Sequence, residues 1–394
     1  MEKGGRIVTA IYIIVTLVVL WILYRFYWNV EEKTVKTMDG VFEIPDYKID
    51  TPLHIKRDGY FLSVPSPKNQ IVLQERSDDA AVWVIEQEGT TQHYFYIKTL
   101  SDRYNHTCYL GCPNRDGSVY LYTSRNKFTR WKIEPDDQHR YRIQYAGEKF
   151  DPSAVALVVA RYAENIEWVR AYNDIAIVYN KGRNDIDGIH NVQRVINIGR
   201  EGHTYLYHII QNYDQLTDRV IFSQGDPFLH NETILFGVDN YGELAPIQPM
   251  GLRYLTENNM PPERVIKNHR KKTPYGLDYL VIKANGNLVT DDFVDNGMNQ
   301  LPARYMREGN PYNKVYNLMT NFLYNAKWSW KSPSIHFVYF TFCGLFSVHQ
   351  SVIRKHEVAV YQNLLNHLVS IDKQGGASGY ILEKAWLYIF GYAP

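Results

Sequence analysis

In the second half of the chain, apolar and polar positions alternate in blocks rather than residue by residue. Val155 to Ala160 is an unbroken apolar run, the pattern of a strand covered on both faces. Glu164 to Tyr172 predicts a short helix, and Ile175 to Tyr179 a second strand stopped by Asn180-Lys181-Gly182. Arg194 to Ile198 predicts a third strand. From Gly202 to Leu216 the spacing of Tyr205, Leu206, Ile209, Ile210, Tyr213 and Leu216 is that of one helix face. Arg219 to Ser223 predicts a fourth strand. Strands alternating with helices imply an α/β body over residues 151–394, with a mostly parallel sheet, right-handed crossovers and a divergent insertion at about 252–332. The apolar stretch Ile335 to Val348 is 14 residues long, too short for a membrane span, and reads as buried core.

The first half reads differently. Ile7 to Tyr24 contains no charged residue; its 18 positions span about 27 Å as a helix, the thickness of a bilayer's hydrocarbon core. Arg6 and Arg25 bracket the run, and Tyr24, Phe26, Tyr27 and Trp28 form an aromatic belt. Residues 1–28 are therefore expected to be a single-pass anchor in the lipid bilayer, and 29–52 a stalk. Bulky aromatics after the run argue against signal-peptide cleavage. Lys3 and Arg6 nearly balance Arg25, Lys33 and Lys36, so the charge count leaves the orientation open.

Residues 53–150 repeat themselves at a spacing of 48. Phe61-Leu62 matches Tyr109-Leu110, Val72-Leu73 matches Tyr120-Leu121, and Trp83-x-Ile85-Glu86 matches Trp131-x-Ile133-Glu134. Each unit is a set of short strands divided by Gly, Pro, Asn and Asp turns, and such units must pack together to form a core.

Charge excludes one class of function. The formal net charge is +1, without the basic excess of a nucleic-acid-binding surface. Three cysteines, Cys108, Cys112 and Cys343, are too few for a disulfide framework and lack zinc-knuckle spacing. P-loop, Gly-x-Gly-x-x-Gly, His-Glu-x-x-His and Gly-x-Ser-x-Gly patterns are missing, against kinase, dehydrogenase, zincin and hydrolase readings.

The candidate chemistry clusters at the ends of the four predicted strands, where α/β sheets take ligands. Arg161, Tyr162 and Glu164 follow the first, Asn180 and Lys181 the second, Arg200, Glu201 and His203 the third, and Gln224, Gly225 and Asp226 the fourth. Arg161, Lys181 and Arg200 are candidates to hold phosphate by charge-assisted hydrogen bonds. Glu201 or Glu383 is the candidate base. Glu383 lies in an apolar helix predicted over Tyr380 to Phe390, where a carboxylate must be paired or functional.

Two resemblances add to this reading. The repeat, with a Trp ending each unit, resembles β-trefoil modules of the ricin and fascin kind, which implies a small all-β domain and a sugar or glycoprotein ligand. The segments VVARYAENIEWV, IVYNKG, NIGREGHTYLYHIIQNYDQL and VIFSQGDPF resemble an uncharacterised family of fungi, plants, algae and large DNA viruses; so do FSVHQSVIRKHEVAVYQNLL and GYILEKAWLYIFG. Members of that family are described as glycosyltransferase-like. The resemblance implies a Rossmann-like, glycosyltransferase-A-like body, an endomembrane location, and transfer from a nucleotide sugar assisted by Mn²⁺ or Mg²⁺. It places Asp226 where that fold carries a metal-binding Asp-x-Asp, although position 224 is Gln here. The viral members imply an alternative: a non-catalytic component of a virion inner membrane, in contact with capsid proteins.

Overall fold

The computed structural model describes residues 33–34, 40–42, 55–57, 60–63, 72–74, 82–88, 94–101, 106–116, 119–122, 125–135, 141–228, 234–250, 252–256, 289–290, 293–294, 319–328, 337–372 and 378–392. The chain forms two compact units. The first comprises residues 1–112, 117–121 and 129–147, and the second residues 113–116, 122–128 and 148–394.

The first unit is all-β. Its strands are β1 (Lys33–Thr34), β2 (Gly40–Phe42), β3 (Lys56–Arg57), β4 (Tyr60–Ser63), β5 (Val72–Gln74) and β6 (Trp83–Gln87). They continue as β7 (Phe95–Ser101), β8 (His106–Gly111), β9 (Tyr120–Tyr122), β10 (Trp131–Pro135) and β11 (Tyr141–Tyr145). Side chains alternate as a pleated strand requires: in β10, Trp131 and Ile133 are buried while Lys132 and Glu134 are exposed. Trp83 and Trp131, the two tryptophans of the repeat, both lie in the core with Ile85, Ile97, Leu110 and Ile143. The Trp131 indole Nε1–H, which would be costly to bury unpaired, donates to the Leu110 carbonyl at 2.8 Å.

The trefoil expectation is corrected here. The described strands form a four-stranded sheet, β1-β5-β4-β3, and a curled seven-stranded one, β2-β11-β10-β7-β8-β9, in which β6 also pairs with β7. Among the described residues, three equivalent units are not seen. The 48-residue repeat supplies two, and β7 serves as a common partner to β6, β8 and β10.

The second unit is built on a six-stranded sheet of β12 (Val155–Arg161), β13 (Ala176–Asn180), β14 (Val192–Arg194), β15 (Arg219–Gln224), β16 (Ile247–Pro249) and a late strand. Three short strands intervene, β17 (Leu252–Thr256), β18 (Val289–Thr290) and β19 (Phe293–Val294); β20 (Phe337–Thr341) and β21 (Phe346–His349) follow. The sheet order is β14-β13-β12-β15-β21-β16. β14, β13, β12 and β15 are parallel, whereas β21 runs antiparallel to both β15 and β16. All of β12 is buried, as its unbroken apolar run requires. On one face lie α1 (Arg200–Gln211), α2 (Val358–Asp372) and α3 (Ser378–Ile389). Tyr205, Leu206 and Ile209 of α1 share a core with Leu364 and Leu368 of α2, Leu382 and Trp386 of α3, and Phe222 and Phe346 of the sheet.

The Rossmann-like, glycosyltransferase-A-like expectation is also corrected. The sheet is mixed, because β21 runs antiparallel to its neighbours β15 and β16. The predicted helix at Glu164 to Tyr172 is a 3₁₀ turn, Glu167–Tyr172, with Trp168, Val169, Ala171 and Tyr172 buried. Burial on several sides suits a tight irregular turn better than an amphipathic helix with one polar face. The apolar stretch Ile335 to Val348 contains two strands, β20 and β21, around a turn at Phe342–Gly344 in which Cys343 has φ 55°. The expected anchor, Ile7 to Tyr24, lies outside the described residues. Among the described residues no transmembrane helix is found, since none is long and apolar enough to cross a membrane.

Candidate functional site

Parallel strands end on the same edge of a sheet, and register brings their last residues together. Arg161 at the end of β12 pairs with Asn180 at the end of β13, and Ala160 pairs with Gln224 at the end of β15. Beyond this edge is a cleft of about 400 Å³. Its floor and walls are Ala160, Arg161, Gln224 and Lys181 from the strand ends, Tyr162 and Glu164 from the loop after β12, Asn197 from the segment before α1, and Arg200 and Glu201 from the first turn of α1.

Lys181 supplies a partly buried cation. Its ammonium donates to the Ile198 carbonyl at 2.8 Å and to the Arg200 carbonyl. Burial lowers its pKa to about 8, although Glu201 and Asp372 pull it upward. An ammonium has three N–H groups, so one remains for a ligand after both carbonyls are served.

The turn leading into α1 is unusual backbone. Gly199 has φ 60° and Arg200 φ 51°, both in the left-handed region. A side chain at position 199 would meet Leu368 Cδ2 at 2.1 Å, so glycine alone fits. No side chain caps the helix from Gly199, which leaves first-turn N–H groups and the positive end of the helix dipole at the cleft. The Gly199 N–H is held instead by Asp372 Oδ2 at 3.1 Å, while the Ser378 hydroxyl donates to Asp372 Oδ1 at 3.0 Å. One carboxylate at the end of α2 thus ties the starts of α1 and α3. Arg200 is half-exposed, stacks its guanidinium over the Tyr380 ring at 4.3 Å, and lies 3.8 Å from Glu201 Oε2. The Glu201 side chain is only 11 % exposed.

The remaining nominated residues take other places. Arg161 lines the cleft, but its guanidinium is committed to protein acceptors. It donates to the Glu164 carbonyl at 3.0 Å, Asn180 Oδ1 at 3.1 Å, the Arg183 carbonyl at 2.9 Å and Asp185 Oδ1 at 2.6 Å. Arg161 therefore knits the loops after β12 and β13 together beneath the cleft, and its hydrogen bond holds the Asp185 carboxyl below the usual range. Asp226 is outside the lining. Its Oδ1 accepts from the Phe228 N–H at 3.3 Å, and its carbonyl accepts from Gln224 Nε2 at 2.7 Å. Among the described residues no group of three or more His, Cys, Asp or Glu side chains gathers. Glu383 is buried in α3, 2.8 Å from the Lys384 ammonium, and does not line the cleft. Of the two base candidates, Glu201 alone lines it.

Two residues that shape this site have no local signature. Asp372 is 173 positions from Gly199, and Tyr380 lies in an apolar helix where an aromatic reads as core.

The family described as "Protein of unknown function (DUF3431)" matches residues 157–394. The chain belongs to this family. The DUF3431 match begins inside β12 and contains every residue that lines the cleft. No curated protein and no solved structure matches the chain.

Proposed function

We propose that the cleft holds the phosphate-bearing part of a nucleotide sugar and that the protein transfers the sugar to an acceptor hydroxyl. The observation that carries this reading is the meeting of Lys181, Arg200 and Glu201 on one open cleft beyond the carboxyl ends of parallel strands. In this reading Glu201 takes the proton of the acceptor hydroxyl. The acceptor oxygen forms its bond to the anomeric carbon, the bond from that carbon to the phosphate oxygen breaks, and the diphosphate leaves with the electron pair. Lys181, Arg200 and the first-turn N–H groups of α1 take up the charge that develops on it.

Titration calorimetry with UDP, GDP and inorganic pyrophosphate, followed by assay of nucleotide-sugar turnover, tests it. Lys181→Met and Arg200→Ala should each weaken diphosphate binding by about 10- to 100-fold, the worth of one charge-assisted hydrogen bond. Glu201→Gln should keep binding and lose turnover by about 100-fold or more. If no nucleoside diphosphate binds, the reading fails.

A second reading is favoured by the side chains spent on structure, namely Arg161, Asp226 and Glu383. In it the protein is a non-catalytic component of a large DNA virus particle, packed against capsid proteins. Its mark would be stoichiometric presence in purified particles with Glu201→Gln silent.

A further inference from the structure

Tyr205 is fully buried, and its hydroxyl has no hydrogen-bond partner. An orphan of this kind costs about 1–3 kcal/mol, and phenylalanine would fill the same space without the penalty. The hydroxyl is one helical turn from Glu201, on the same face of α1. Both groups border Gly344, which has φ 64° and no side chain. A Cβ there would lie 3.3 Å from Glu201 Cγ and 3.6 Å from the Tyr205 oxygen, as well as 3.0 Å from the Tyr205 ring. Glu201 thus approaches the Tyr205 hydroxyl through its Cγ, while its Oε2 lies 3.8 Å from Arg200 Nε on the cleft side.

We infer that Tyr205 is a positioning residue: by a rotation of the Glu201 side chain, its hydroxyl comes to donate to the Glu201 carboxylate at the back of the cleft. Burial keeps this phenol protonated at all physiological pH, with Glu201, Cys343 and Glu383 adding to the effect, so toward a carboxylate it acts as a donor. The charged and titratable groups around the pair are Arg200 on α1, Lys181 after β13, Cys343 in the turn before β21, Asp372 at the end of α2, and Glu383 on α3, itself paired with Lys384. Among them only Tyr205 combines a neutral donor with full burial.

The inference rests on Glu201 being the base of the proposed reaction, but its test reads the carboxyl itself. Carboxyl-¹³C-glutamate NMR of the full chain, assigned with Glu201→Gln, follows the Glu201 titration. In Tyr205→Phe the midpoint should rise by about half a unit or more, because a hydrogen bond to the charged form is lost. A midpoint that is unchanged or lower overturns the inference. If that variant does not fold, 3-fluorotyrosine at position 205, a stronger donor, should lower the midpoint; no change or a rise overturns it. Loss of sugar transfer without a midpoint shift would count against Tyr205 and leave the reading of the cleft standing.

Discussion

At the scale of single residues, the cleft depends on the difference between a charge that is present and one that is available. Arg161 is charged and lines the cleft, yet four acceptors already hold its guanidinium. Lys181 is more buried than a solvent-facing lysine, but two carbonyls leave one of its three N–H groups free. Its pKa of about 8 makes a direct prediction. Below that value the empty cleft carries the ammonium and attracts an anion; above it the attraction is lost. Pyrophosphate affinity, measured by calorimetry from pH 6.5 to 9.5, should therefore decline with a midpoint near 8. In Lys181→Met it should be weak and flat over the same range. The strand-end position of Lys181 was legible because polar residues directly after apolar runs mark the ends of strands; Arg200 and Glu201 stand instead in the first turn of α1, since the third strand, expected over Arg194 to Ile198, is Val192–Arg194. That Arg161 is spent and that Asp226 turns into its own loop was not, because both follow from acceptors brought close only by register and loop closure.

At the scale of elements, three helix ends meet at Asp372. Its two oxygens hold the Gly199 N–H and the Ser378 hydroxyl, so the start of α1 is placed by the end of α2. Removing the carboxylate leaves this left-handed turn to the Lys181 bonds at the Ile198 and Arg200 carbonyls. Asp372→Ala should cost about 1–3 kcal/mol in urea unfolding, the worth of two hydrogen bonds in a partly buried setting. It should also weaken pyrophosphate binding although Lys181, Arg200 and Glu201 are intact. Unchanged affinity would mean that the α1 terminus holds its geometry by itself. The strands β12, β13 and β15 and the helix α1 were readable because burial on both faces and burial of one stripe leave different periodicities. The turn between β20 and β21 was hidden inside one apolar stretch. Cys343 and Gly344 supply it through left-handed backbone, not through a polar break.

At the scale of the whole molecule, charge is nearly balanced, with 43 Lys and Arg against 42 Asp and Glu, so local geometry rather than net field selects a ligand. Acid sensitivity is a molecular property of the second unit. Burial lowers the pKa of both His203 and His208 to about 4, with Lys181 adding to the effect at His203. His208 also sits 3.0 Å from the Tyr179 hydroxyl through its Nδ1. Because the folded values are depressed, the unfolded chain binds more protons between pH 4 and 6.5. The stability these neutral imidazoles contribute is complete above about pH 6.5 and is lost as pH falls toward about 4. Urea unfolding at pH 7 and pH 5 should differ by about 3–4 kcal/mol for the pair, and His208→Gln should remove about half of that difference. By itself the sequence determined where chains of apolar residues had to be buried, and hence β12, β13, β15 and the helix α1, because burial is written in local periodicity. Only the tertiary structure decided that the sheet closes with antiparallel strands, that β6, β8 and β10 share β7, and which of the nominated charges remain for a ligand. Those outcomes depend on pairings between distant segments, and hydrogen-bond partners separated by 173 positions leave no local trace.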